Sequence, residues 1–128
     1  MIHYKTLSIA ALLFSIIFFS CAKPLPGKQS KSVQYSITGN FSGTLFASYT
    51  TASGGTNNEQ ITSLPWNKVI DYEQNVTAAI IAVSGNGGAA AQQLTVVVKK
   101  LADNSTTTTV VTANSSGSFS QTAPVVIF

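Results

Sequence analysis

A small, immunoglobulin-like antiparallel β-sandwich of about seven or eight strands is what this sequence predicts for residues 33–128. Three observations predict it. Apolar residues recur at period two from Val33 onward, β-branched residues crowd the segments between turns, and nothing after residue 20 shows the 3.6-residue period of an amphipathic helix. Short strands at this spacing, separated by Gly, Pro, Asn and Ser, pack as two sheets around one modest core.

The elements follow in order. "VQYSITG" (33–39) puts Val33, Tyr35 and Ile37 on one face and Gln34, Ser36 and Thr38 on the other. After a turn at "NFSG", "TLFASYT" (44–50) offers Leu45, Ala47 and Tyr49 to the core and leaves Phe46 partly exposed or capping an edge. "TASGGTNN" (51–58) has the composition of a loop, "EQIT" (59–62) is a short strand, and Pro65 turns the chain. "NKVIDYE" (67–73) and "NVTAAIIAVSG" (75–85) read as consecutive strands, the second apolar enough for the centre of a sheet. A flexible loop "NGGAAAQQ" (86–93) leads to strands "LTVVVKKL" (94–101) and "TTTTVVTAN" (106–114). The last strand, "SFSQTAPVVIF" (118–128), contains Pro124, which cannot donate to a ladder and so places it at an edge or a bulge.

Ahead of the domain the chain is different. "MIHYKT" carries Lys5, the stretch 7–20 has no charge, and Cys21 follows, the only cysteine present. A basic start, a short apolar run and small residues at a cut site describe a secretory signal, residues 1–20. The run is short for a spanning helix, which needs about 20 apolar residues. Ser20 before the cysteine and Ala22 after it resemble the lipobox of bacterial lipoproteins, with Phe18 standing where leucine is usual, a looser form found in Bacteroidetes-like bacteria. That resemblance implies cleavage before Cys21, a diacylglycerol on its thiol and an acylated amine. A second acyl chain makes anchoring lasting, since each buried CH₂ contributes about 0.8 kcal/mol. Residues 21–32, rich in Pro, Gly and Lys, then form a tether. The absence of an acidic cluster after the cysteine favours the periplasmic face of the outer membrane over the cell surface.

Composition narrows the function classes. The 128 residues are 45% hydrophobic and 9% charged, with net charge +3 and every positive charge on a lysine. Without arginine, and with no lysine stripe, nucleic acid is not an expected partner. The part beyond Cys21 holds four carboxylates (Glu59, Asp71, Glu73, Asp103) and no histidine, so a serine triad lacks its base and no zinc spacing exists. Asp71 and Glu73 at i, i+2 read as a solvated strand face, too few ligands for calcium. "GNGG" (85–88) lacks the strand-to-helix setting of a phosphate loop. The four N-x-S/T triplets, from Asn40, Asn75, Asn104 and Asn114, read as loop composition. The expectation is a protein that is not an enzyme and has no cofactor or metal.

"YSITGN", "ASYTTASGGT" and "QITSLPWNKVI", with "LTVVVKK" and "SSGSF" later, resemble the small mycobacterial membrane proteins (the MmpS family) and related lipoprotein β-sandwiches across roughly residues 35–120. Members of that family carry an uncleaved membrane helix, and many a cysteine pair; this chain has neither in its sequence pattern. The resemblance implies a partnership with proton-driven exporters of the resistance-nodulation-division class. The expected function is therefore a lipid-anchored envelope interaction module, accessory to a membrane transporter. The alternative is a glycan- or lipid-binding module using Trp66, Phe46 or Phe41 as aromatic platforms. For Trp66 the structural reading is a core plug beside Pro65, with Tyr35, Tyr49 and Tyr72 in the core or at its rim. In the interaction reading, contacts come from strand edges and from the loops at 51–58 and 86–93.

Overall fold

A computed structural model describes residues 27–128. The lipidation and signal readings at residues 1–21, and the first half of the tether (21–26), lie outside the described residues. From Ser32 onward the chain is all β. Its ten strands are β1 (Ser32–Gly39), β2 (Thr44–Thr50), β3 (Thr56–Ile61), β4 (Trp66–Asp71), β5 (Ala78–Ala79), β6 (Ile81–Asn86), β7 (Gln93–Lys100), β8 (Thr106–Thr112), β9 (Phe119–Thr122) and β10 (Val126–Ile127).

Two four-stranded antiparallel sheets, in the orders β4-β1-β7-β8 and β3-β2-β6-β9, form the sandwich, and β5 with β10 makes a two-stranded ribbon. Alternation decides which side chains lie between the sheets. From the first sheet come Val33, Tyr35 and Ile37 of β1 and Leu94, Val96 and Val98 of β7; from the second come Leu45, Ala47 and Tyr49 of β2 and Ile81 and Val83 of β6. Each fully buried Val, Leu or Ile contributes about 1.5–3 kcal/mol. A one-residue slip of β1 would turn this whole set outward.

The chain enters at one pole of the sandwich, and β1 runs from there to the far pole. The connections at 51–55, 72–77 and 101–105 lie at the entry pole, tied to it by Tyr72 N–H on Lys31 C=O (3.3 Å), Leu101 N–H on Ser32 C=O (2.9 Å) and Glu73 N–H on Ala52 C=O (2.9 Å). The connections at 40–43, 62–65, 87–92 and 113–118 lie at the far pole. There the segment 87–92, expected to be flexible, is held by Gly88 N–H on Gly117 C=O and Ala91 N–H on Ala113 C=O, both at 3.0 Å. The Gln92 side-chain oxygen also accepts from Ser42 N–H, Ser42 Oγ and Ala89 N–H. Gly117 sits at φ 68°, and a Cβ on it would stand 1.9 Å from Gly88 O, so the two loops can approach only with glycine there.

Three expectations are corrected at the level of elements. Residues 56–58, read as loop, are strand, because Thr56, Asn57 and Asn58 pair with Thr50, Tyr49 and Ser48 and the ladder overrides composition. The single strand expected at 75–85 is two. Ile80 gives its N–H to Thr50 Oγ1 and its C=O to Thr50 N–H, so the chain bends there and Ala78–Ala79 pair with β10 instead. The last strand is likewise divided around Pro124 into β9, an edge of the second sheet, and β10. The peptide bond between Leu64 and Pro65 is cis.

Candidate functional site

The three aromatic side chains named as platforms occupy three separate places. Phe41 is buried at the far pole, its ring edge-on to Phe119 with centroids 4.9 Å apart. It fills the space left by two glycines, since a Cβ on Gly85 or Gly88 would come within 2.6 Å or 2.3 Å of its ring. Phe41 therefore offers no face to a ligand; as a platform it is corrected to a core residue. Phe46 does lie on the surface, 44% exposed on the outer face of the second sheet. Its register neighbours are Gln60 on β3 and Ser84 on β6, with Ser120 of β9 one strand further. An aromatic ring thus lies in a neutral row of one amide and two hydroxyls.

Trp66 belongs to a third, more elaborate place. Antiparallel partners share a face, so the pairs Ile37–Trp66 and Tyr35–Lys68 turn Trp66 and Lys68 of β4 inward, while Ala47–Glu59 and Tyr49–Asn57 do the same for Glu59 and Asn57 of β3. Strands β3 and β4 are the outer strands of opposite sheets, on the same side of the sandwich. Their inward polar groups meet over buried Tyr49 and close the gap between the sheets. The Glu59 carboxylate accepts from Tyr49 Oη (2.6 Å), from Trp66 Nε1 (3.1 Å) and from Lys68 Nζ. Lys68 Nζ also donates to Tyr49 Oη and lies 4.7 Å from the centre of the Tyr49 ring and 5.6 Å from that of Trp66. Asn57 Nδ2 completes the group with a 2.8 Å bond to Tyr49 Oη.

The ammonium and phenol beside Glu59 hold its carboxyl down to about 2, and the same contacts raise Lys68 above its ordinary value. Both stay charged across the neutral range and pass no proton to one another. The cluster is a buckle between sheets, half-buried, with Trp66 packed against the core and its indole N–H satisfied. The sequence alone did not place Glu59 and Lys68 together. The signal was there in the alternation, since each takes an inward turn on a strand whose flanking residues Ile61 and Ile70 are core.

A second polar contact lies deeper. Tyr72 donates to Thr50 C=O at 3.0 Å, so the 2.7 Å contact between the two hydroxyls has Tyr35 as donor to Tyr72. Burial pushes both phenols above their usual range. Asp71 and Glu73 do not share a strand face: β4 ends at Asp71, whose carboxylate accepts from Ser32 Oγ, and Glu73 lies in the connection beyond it. Among the described residues no group of three His, Cys, Asp or Glu could hold a metal ion, and no helix is long and apolar enough to cross a membrane. The two loops named for binding lie at opposite poles, 51–55 at the entry and 87–92 at the far end, so they share no single surface.

The outer strands differ in how they protect their free edges. β3 and β4 carry inward charges, and β9 is four residues long and followed by Pro124; both are common guards against edge pairing. β8, "TTTTVVT", has seven residues with neither a charge nor a proline. Lys100 N–H bonds Ser105 C=O and Ala113 N–H bonds Gln92 C=O. By alternation in the register, Thr107, Thr109 and Val111 bond β7, and Thr106, Thr108, Val110 and Thr112 aim their N–H and C=O away from the sheet. Near the entry pole this edge borders a groove whose opposite wall is Val125–Ile127.

No family model, no curated protein and no solved structure matches the chain.

Proposed function

We propose that this is a lipid-anchored protein of a bacterial cell envelope whose β-sandwich acts by non-catalytic binding, offering the free edge of β8 to an extended segment of another envelope protein. The single observation that carries the binding part is the contrast between β8 and the other outer strands: seven residues without charge or proline, with alternate backbone groups turned outward. Strand addition draws affinity from such main-chain groups and selectivity from the side chains beside them. Cys21 behind the charge-free run supports the anchor, and the periplasmic face of the outer membrane is the proposed location. A membrane transporter is the partner that the resemblance over residues 35–120 suggests.

The test is crosslinking from Val110, 58% exposed on β8, in the organism's own membranes, with partners identified by mass spectrometry. Thr108→Pro is the companion variant. Its N–H points away from β7, so the substitution removes a docking donor and no internal hydrogen bond. Capture of one envelope protein in near-stoichiometric amount, abolished by Thr108→Pro, is the expected result. Equal capture by the proline variant would refute β8 as the docking edge.

A second reading rests on Phe46. A ring among Gln60, Ser84 and Ser120 suits the apolar face of a sugar with amide and hydroxyl groups at its rim, so envelope glycan binding is proposed as the alternative. Titration of envelope glycans against the protein and its Phe46→Ala variant decides it: saturable binding lost in the variant supports a glycan role, and identical titrations remove it.

A further inference from the structure

The β5–β10 ribbon has two unlike faces. Val126 pairs with Ala79 and Ile127 with Ala78, and beyond them Ala123 N–H bonds Ile81 C=O, so Pro124 and Val125 together lie opposite the single residue Ile80. Val126 and Ala79 turn inward to the core. Val125 and Ile127 turn outward, 50% and 65% exposed, with Ile80 at 37% beside them and the Ala78 methyl completing the face. Elsewhere the large exposed apolar side chains stand singly: Phe46 beside Gln60 and Ser84, Val69 beside Gln34, Val110 beside Thr95. Only on the ribbon do three of them, among the described residues, adjoin one another.

The surroundings of this face are as telling as the face. Lys100 Nζ donates to Ile127 C=O at 3.1 Å, and Lys31 Nζ donates to Val76 C=O at 2.7 Å. Both ammonium groups lie over the Phe128 ring, 5.9 Å and 5.5 Å from its centre. Asp103 lies 3.8 Å from Lys100 on that rim, and Asp71 and Glu73 lie at the same pole. Gln29 and Ser30 line one small cavity together with Phe128 and Lys100, so the incoming chain reaches the domain beside the ribbon. Cys21 stands six residues ahead of Gly27, a span of at most about 20 Å when extended. An acylated Cys21 therefore confines the entry pole to within a short reach of the bilayer. At such effective concentration a small apolar face is enough to bind.

We infer that the outer face of the β5–β10 ribbon, Ile80, Val125 and Ile127 with the rim of Lys31, Lys100 and Phe128, rests on the lipid surface to which the chain is anchored. Aliphatic side chains enter the headgroup boundary, and the lysines, at the edge of an apolar face, reach lipid phosphates. The sandwich is then held in one orientation rather than swinging on its tether, with the far pole turned away from the membrane. The inference rests on the lipid anchor of the proposed function, and its test separates the two.

The acylated protein, residues 21–128, is reconstituted in vesicles of phosphatidylethanolamine and phosphatidylglycerol. Variants Val125→Cys, Ile127→Cys and, at the far pole, Ser115→Cys each take a polarity-sensitive fluorescent maleimide. The expected result is a blue shift and loss of most emission to spin-labelled lipids at 125 and 127, with neither at 115. Unquenched, water-like emission at 125 and 127 overturns docking while leaving the anchor. A blue shift that spin-labelled lipids do not quench marks burial against protein and replaces the membrane with a second copy of the chain. The protein without an introduced cysteine reports on the anchor itself: Cys21 takes no label when acylated, and labelling there removes anchor and docking together.

Discussion

Replacing Glu59 by Gln tests the buckle between β3 and β4. The carboxyl lies at about 2 against an ordinary 4.5, a depression that corresponds to at most about 3.4 kcal/mol of differential stabilisation. The side chains of Lys68 and Glu59 are 31% and 32% exposed, so solvent screening reduces this to about 1–2 kcal/mol. Because the folded value is depressed, the stabilisation is complete above about pH 4.5 and fades as pH falls towards 2. Lys68 has the opposite sign: its raised value adds stability below its unfolded value near 10.5 and loses it at higher pH. The assay is urea unfolding of residues 27–128 from pH 6 to 2, followed by the fluorescence of Trp66, the sole tryptophan. The expected outcome is a wild-type stability that drops by about 1–2 kcal/mol more than that of Glu59→Gln over this range. In a cycle at pH 7 with Lys68→Met, the double variant loses less than the two single losses added. Parallel pH curves for wild type and Glu59→Gln would refute the reasoning.

Three further outcomes follow from the packing. Tyr72→Phe leaves Thr50 C=O and the Tyr35 hydroxyl without their partner and lowers stability by about 1–2 kcal/mol, seen as a lower urea midpoint at unchanged slope. Phe41→Ala empties the space over Gly85 and Gly88 and costs about 3–4 kcal/mol, a large fall in Tm, whereas an exposed platform residue would cost almost nothing. Gly85→Ala drives a methyl to 2.4 Å from the Phe119 ring, and overpacking costs about 1–3 kcal/mol by the same measurement.

Period-two alternation made the sandwich legible: Val33, Tyr35 and Ile37, and Leu45, Ala47 and Tyr49, are core residues as their spacing implied. The exposure of Phe46 came from the same alternation. What alternation cannot say is which strand lies beside which. Glu59 and Lys68 are nine positions apart and on different sheets, so their meeting depends on β3 and β4 becoming outer strands on the same side. Phe41 sits in a turn, where no period assigns it inward; its burial is set by Gly85 of β6, Phe119 of β9 and Gly88 of the loop 87–92, all distant in sequence. The division of the segment 75–85 turned on one hydroxyl, Thr50 Oγ1, which takes the Ile80 N–H and frees the preceding residues to pair elsewhere.

The position of β1 has a mechanical consequence. It is flanked on both sides, by β4 over six opposed pairs and by β7 over seven, and it begins where the incoming chain joins the domain. A pull between an anchored N-terminal segment and anything gripping the far pole acts along the axis of β1. The two ladders then bear the load in parallel, in shear, and must fail together, whereas a hairpin pulled from one end opens a bond at a time. Resistance to force is set by the rate of unfolding rather than by equilibrium stability. A sandwich of modest core can in this way serve as a mooring that outlasts much tighter-binding but peelable contacts.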